Sequence, residues 1–251
     1  PNSAGSTIQD MIDNERKLKR AIDMEPGRQS ARQVVLSIAN GSTHIRSHID
    51  VDTKHGLWGI EGVMATRERY RDWIDIELVV FPQSGMLKRP GTVELMEEAL
   101  RLGAEVVGGI DPCTMDKDPK GHLDTVFDLA ERFGRPVDIH LHEPNELGMF
   151  SMGLIVERTR ALGMAGKVTI SHAFCLGMND WLGVGTMLDT LAEAGIAPAV
   201  LDAIRAAKAR VPESRRLHNN TMVDLLAIAE ELAAAGLEIE DGVARDTNSN
   251  R

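Results

Sequence analysis

The chain has 251 residues, 43% of them hydrophobic and 26% charged, which suits one large α/β domain with a substantial core. Its formal net charge of −10 argues against nucleic acid or an anionic membrane as a partner, because both require clustered Lys and Arg. The two cysteines, Cys113 and Cys175, have no Cys-x-x-Cys spacing, which fits a reducing compartment rather than a disulfide framework. We therefore expect a cytoplasmic protein that binds neither nucleic acid nor a membrane.

The amino-terminal forty residues are predicted to be helical. Apolar residues recur at helical spacing between positions 6 and 40, and Pro26-Gly27 divides them into two helices. The chain begins at Pro1 without an initiator Met, and no basic region followed by an apolar one is present. We expect no signal peptide and a start that is processed or truncated.

A repeating strand and helix unit follows. The predicted strands cover 43–51, 75–81, 105–110, 136–141, 167–171 and, more weakly, 196–200; the helices lie near 59–72, 92–102, 121–133, 151–163 and 181–194. The spacing of about 30 residues between strands is that of βαβ units, so the strands should run parallel. An open doubly wound sheet fits this pattern as well. Because no Gly-x-Gly-x-x-Gly turn follows a strand, we favour a (β/α)8 TIM-like barrel.

The last fifty residues depart from this rhythm. Residues 200–210 and 217–235 resemble Ala-rich helices, and 237–240 is the one further candidate strand for closing an eight-stranded barrel. An incomplete barrel leaves strand edges without partners, which favours association into a homo-oligomer. We treat residues 1–251 as a single domain.

Reactive side chains concentrate at the carboxyl ends of the predicted strands, where parallel α/β proteins place their active sites. Imidazoles and carboxylates at converging strand ends bind divalent metals and transfer protons. A structural role is the alternative for each single histidine, and His48 is balanced between a site role and a scaffold pair with Asp50. Of the other residues, His44, His55, His122 and His218 are expected to be structural or solvated, and Cys175 to be packing. The strand-end residues are His48, Asp50, Gln83, Asp111, His140, His142, Glu143 and His172.

Five blocks of the sequence carry a family resemblance. The stretch from residue 30 to 195 resembles the amidohydrolase superfamily, in the branch that holds cytosine deaminase and N-isopropylammelide isopropylaminohydrolase. The resemblance implies an α/β barrel that here lacks the family's first strand with its His-x-His pair and the small flanking β-domain. The matching blocks are Thr43–Asp52, Phe81–Gly85, Gly108–Pro112, His140–Glu143 and Ser171–Ala173.

The resemblance also implies roles for these residues. It assigns one divalent metal ion, zinc or iron, to His140 and to Asp241, which precedes an Arg-Asp pair with one residue more than the family has. Glu143 corresponds to a proton shuttle and His172 to the residue that positions the hydrolytic water. The residues expected at the substrate are Gln83, His48, Asp111 and His142.

The implied activity is metal-dependent hydrolysis of a carbon–nitrogen bond, by deamination or dealkylamination. The substrate would be a small heterocyclic compound, such as an aminopyrimidine or aminotriazine. Catalytic zinc sites use three or more protein ligands, and the missing pair leaves fewer. A catalytically silent fragment or a ring-binding relative is therefore the alternative, and an unrelated α/β enzyme is a third.

Overall fold

The structure, a computed structural model, describes residues 10, 14, 17, 24–179, 181–198, 237–240 and 243–246. Strands and helices alternate along nearly all of it. The helices are α1 (Pro26–Ala39), α2 (Trp58–Tyr70), α3 (Thr92–Leu102), α4 (Pro119–Phe133), α5 (Asn145–Ala161), α6 (Cys175–Met178) and α7 (Trp181–Glu193). The strands are β1 (His44–Asp50), β2 (Asp75–Phe81), β3 (Val106–Ile110), β4 (Val137–His140), β5 (Val168–Ser171), β6 (Ile196–Pro198), β7 (Leu237–Glu240) and β8 (Val243–Asp246).

The first six strands form one sheet in chain order, and every neighbouring pair is parallel. Each return passes through a helix, so the carboxyl ends of all six strands lie at one edge of the sheet. Of the described helices, none is long and apolar enough to cross a membrane.

The sheet is strongly curved, which distinguishes a barrel wall from an open sheet. β1 and β4 are separated by two strands, and in a flat sheet they would lie about 14 Å apart. Yet the rings of His48 on β1 and His140 on β4 have centroids 4.4 Å apart, and Arg46 Nη1 lies 2.9 Å from Asp138 Oδ2. Side chains of distant strands thus meet across the concave face, and the predicted barrel architecture is confirmed as a partial one.

Strand alternation divides the sheet into two chemically different faces. The face toward the helices is aliphatic, as Leu78, Val107, Ile139 and Ile170 illustrate, and these residues belong to the main hydrophobic core. The concave face carries the polar residues. Alternation places residue 108 on this face, and it is a glycine because a Cβ there would lie 2.4 Å from the carbonyl oxygen of Val80.

Two details differ from the sequence prediction. The strand predicted at 237–240 exists, but it pairs antiparallel with β8 in a separate sheet, so the expectation that it helps to close the parallel barrel is wrong. Helix α5 begins at Asn145, six residues before the predicted start. The predicted helices at 200–210 and 217–235 lie outside the described residues.

Candidate active site

Four imidazoles form one contiguous cluster at the carboxyl edge of the sheet. The His140 ring contacts those of His48, His142 and His172 at centroid distances of 4.4, 5.6 and 4.6 Å. The rings of His142 and His172 are 4.6 Å apart. The structure therefore brings together the four histidines that were predicted at strand ends on β1, β4 and β5.

Burial keeps the central imidazoles in their neutral form. Desolvation, followed by the neighbouring His48 and His172, lowers the pKa of His140 from 6.5 to about 3. Burial and the nearby His142 also lower the pKa of His172. A neutral imidazole offers a nitrogen lone pair to a metal ion or to a proton.

Asp138 lies beneath the cluster, two residues before His140 on the same face of β4. Its side chain is 1% exposed and accepts hydrogen bonds from Ser171 Oγ at 2.6 Å and from Arg46 Nη1 at 2.9 Å. His48 Nε2 lies 3.5 Å from Asp138 Oδ2, which is within ion-pair distance but does not form a hydrogen bond. Burial raises the pKa of this carboxyl, but the contacts with His48, Ser171 and Arg46 outweigh it and lower the pKa overall. Our sequence prediction did not include Asp138.

The donor atoms of this group fit a divalent metal ion. One ligand atom from each of His48, Asp138 and His140 lies within 4.8 Å of the other two. Nδ1 of His140 and Nε2 of His48 are buried and have no hydrogen-bond partner among the described residues. Buried nitrogens are normally paired, so two such atoms beside a carboxylate are typical of a ligand set.

Asp111 holds His142 in a defined orientation. Its Oδ2 lies 2.8 Å from Nδ1 of His142, and its Oδ1 accepts the backbone N–H of His142 at 2.6 Å and of Glu143 at 3.2 Å. A carboxylate against Nδ1 favours a proton on that nitrogen, which leaves Nε2 as the lone-pair nitrogen. Asp111 itself is buried and lies on the Nδ1 side of the His142 ring.

Glu143 is buried, with 2% exposure, next to the loop after β3. Its Oε1 accepts the backbone N–H groups of Cys113 and Thr114 at 2.8 and 2.7 Å and the Thr114 hydroxyl at 3.2 Å. The Ser151 hydroxyl donates to Oε2. A hydroxyl both donates and accepts, so Ser151 is able to pair with either protonation state of this carboxyl.

The remaining predicted residues are placed as follows. Gln83 lies two residues after β2, is half-buried, and has no hydrogen bond to any described residue. Phe81, at the end of the same strand, packs on His140 with a centroid distance of 4.5 Å. Asp241 and His218 lie outside the described residues, so the predicted metal role of Asp241 stays a prediction.

The other histidines are separate from the cluster. His44 is exposed, and the fully buried His122 pairs with Asp116 at 2.7 Å. His55 contacts Asp52 at 3.1 Å, and together with Asp50 they form a second group of potential metal ligands. Burial raises the pKa of the Cys175 thiol to about 11, which fits the prediction of packing rather than nucleophilic chemistry.

Comparison with known proteins supports this description. No protein-family model matches the chain. It is 32% identical over 166 residues to N-isopropylammelide isopropyl amidohydrolase of Pseudomonas sp. strain ADP, a match that covers 65% of this chain and 41% of the relative.

Solved structures match over a similar part of the chain. The crystal structure of N-isopropylammelide isopropylaminohydrolase from Burkholderia multivorans superposes with a TM-score of 0.74 and 45% identity, covering 77% of this chain and 50% of the other. That of 5-methylcytosine deaminase from Klebsiella pneumoniae liganded with 5-fluorocytosine gives 0.65 and 30%, covering 76% and 46%. The chain thus spans about half the length of these relatives. The predicted resemblance to the amidohydrolase superfamily is confirmed for the barrel segment described above, which is similar to about half of each of these enzymes.

Proposed function

We propose that this chain is part of a metal-dependent amidohydrolase that hydrolyses a carbon–nitrogen bond of a small nitrogen-ring compound. The observation that carries the proposal is the cluster of His48, His140, His142 and His172 at the carboxyl edge of a curved parallel sheet. Relatives named for isopropylammelide and 5-methylcytosine support a planar ring as the substrate class. Deamination and dealkylamination of an aminopyrimidine or aminotriazine both belong to this class.

His140 would hold the metal together with His48 and Asp138, which each have a ligand atom within 4.8 Å of the other two. Bound zinc or iron would supply Lewis acidity and lower the pKa of water toward about 7. Nδ1 of His140, which is buried and has no hydrogen-bond partner among the described residues, supports this assignment. Because the pKa of His140 is about 3, no proton has to leave its imidazole at neutral pH before it can bind a metal.

The other residues would handle protons and orient the ring. Glu143 would carry a proton to the ring nitrogen and then to the departing amine, with Ser151 stabilising both of its protonation states. His172 would position the attacking water by accepting a hydrogen bond from it. The Gln83 amide, which both donates and accepts, would pair with the edge of the ring.

Metal analysis of the purified chain tests the proposal. Protein from cells supplied with zinc and iron should carry transition metal, and His140→Asn should lose it. The matched control is His44→Asn, at an exposed position on β1, which should keep the wild-type metal content. Metal below about a tenth of an equivalent in the wild type, or equal content in both variants, would contradict the assigned site.

An activity screen tests the chemistry. Aminopyrimidines and aminotriazines should release ammonia or alkylamine when incubated with the metal-loaded protein, and Glu143→Gln should abolish release while ring binding persists. Binding of the panel without amine release would contradict the proposed hydrolysis.

A further inference from the structure

The turn after β5 has an unusual backbone conformation. His172 and Ala173 both have positive φ, +69° and +48°, a region that is sterically unfavourable for residues with a Cβ. The strain is held by two hydrogen bonds: the Ala173 N–H donates to Ser171 O at 2.9 Å, and the Phe174 N–H donates to Leu141 O at 3.3 Å. Strained backbone that is over-determined in this way is concentrated at functional sites.

The turn is anchored from behind by helix α6. Cys175 is fully buried and packs on Met152, with 3.9 Å between the sulfurs. α5 approaches so closely that a Cβ on Gly148 would lie 2.5 Å from the Cβ of Cys175. The backbone of Phe174, the preceding residue, is therefore fixed between the end of β4 and α5.

The ring of Phe174 packs against two histidines of the cluster and is nevertheless open to solvent. Its centroid lies 5.4 Å from that of His142 and 5.6 Å from that of His172, at interplanar angles of 64° in both cases. Yet the residue is 44% exposed. A partly exposed phenyl ring at the rim of the cluster provides an apolar face for stacking.

We propose that Phe174 is a specificity-determining residue that stacks on the planar nitrogen ring of the substrate. The inference rests on the proposed function and names a residue that would favour flat, conjugated rings over saturated ones. An electron-poor aminotriazine or aminopyrimidine ring complements the electron-rich face of phenylalanine in offset stacking. A saturated ring of the same size has no π face and gains nothing beyond contact area.

Binding measurements on the metal-loaded chain test the assignment. The probes are cytosine and 2,4-diamino-1,3,5-triazine as planar rings and tetrahydro-2-pyrimidinone as a saturated cyclic urea. Phe174→Leu should weaken binding of the planar rings about threefold to tenfold and change that of the cyclic urea less than twofold. Phe174→Tyr, which keeps the aromatic face, should bind like the wild type.

The matched control is Trp73→Leu, which removes a 71% exposed aromatic side chain just before β2, at the amino ends of the strands and so away from the histidine cluster. It should leave all three dissociation constants unchanged. Planar-ring binding by Phe174→Leu at wild-type strength would overturn the role of Phe174 and leave the proposed function standing. A wild-type protein that binds none of the planar rings would overturn the proposed function, and the stacking role with it.

Discussion

Replacing Asp116 by Asn should destabilise the rim of the barrel. The Asp116 carboxylate accepts hydrogen bonds from the backbone amides of Met86, Leu87 and Lys88 at 3.2 to 3.3 Å, and its Oδ2 lies 2.7 Å from Nδ1 of His122. It thereby ties the loop after β2 to the loop after β3. An Asn keeps the size of the side chain but loses the charge and turns an NH2 group toward these donors.

The magnitude follows from the pKa of Asp116. Burial alone raises it, but the hydrogen bonds from His122 and the backbone outweigh that effect and lower the pKa from 3.8 to about 2. The side chains of Asp116 and His122 are both 0% exposed, so solvent screening removes little of this interaction. At 1.36 kcal/mol per pKa unit, the ionised carboxylate contributes about 2 kcal/mol to the free energy of unfolding. This contribution is present above pH 3.8 and is lost as the pH falls through about 2.

Urea denaturation at pH 7 and at pH 3.5 measures the effect. We expect Asp116→Asn to lower the free energy of unfolding by about 2 kcal/mol at pH 7, and by less at pH 3.5. The control is Asp128→Asn on the exposed face of α4, whose effect should stay within about 0.5 kcal/mol. A loss below about 0.5 kcal/mol for Asp116→Asn at pH 7, or one that grows toward low pH, would refute the reasoning.

Three further predictions concern packing and charge. Gly148→Ala should lower the free energy of unfolding by about 3 kcal/mol, because its Cβ would lie 2.2 Å from the backbone oxygen of Glu143. In the same helix, a Cβ on Gly153 meets nothing within 4 Å, so Gly153→Ala should leave the thermal unfolding temperature unchanged or raise it. Cys175 should resist iodoacetamide in the folded protein at pH 7.5 and react fully in urea, since it is buried and its thiol pKa is about 11. Arg46→Met should lower the free energy of unfolding by about 1 to 2 kcal/mol, because it leaves the Asp138 carboxylate without its cation. The effect is reduced by solvent screening, since the Arg46 side chain is 35% exposed. An unchanged free energy of unfolding would contradict this pairing.

Strands β2 to β5 could be predicted from local pattern because each is a short, largely apolar segment, whereas β1 is recognised by its alternation of polar and apolar residues. Curvature could not, since an open sheet and a barrel have the same strand and helix rhythm. Asp138 could have been predicted from the sequence, because it is a charged residue in an apolar strand and alternation places it on the same face as His140.

The carboxyl-terminal hairpin was not predicted, although its turn has a clear local sequence signal. The register pairs Glu240 with Val243 and leaves only Asp241-Gly242 between the strands. Asp-Gly between two alternating segments is a strong hairpin signal. The sequence prediction instead assigned 237–240 to the barrel, because an eight-stranded barrel needs one or two strands more than the six predicted units supply. Local turn chemistry was here the better guide to the pairing partner.

Asp138 below the cluster and the packed rings above it together explain why the lone pairs of His140 and His172 are available at neutral pH. Below the histidine rings, the Asp138 carboxylate forms an ion pair with Arg46. Because Arg46 is a permanent cation, this carboxylate does not require a protonated histidine as its partner. Within the histidine cluster itself, desolvation and the neighbouring imidazoles lower the pKa of His140 and of His172. A cluster of like groups packed ring against ring accommodates few protons, because each additional charge is both desolvated and repelled. The lone pairs of these imidazoles are therefore available at neutral pH, as metal ligation and water activation both require.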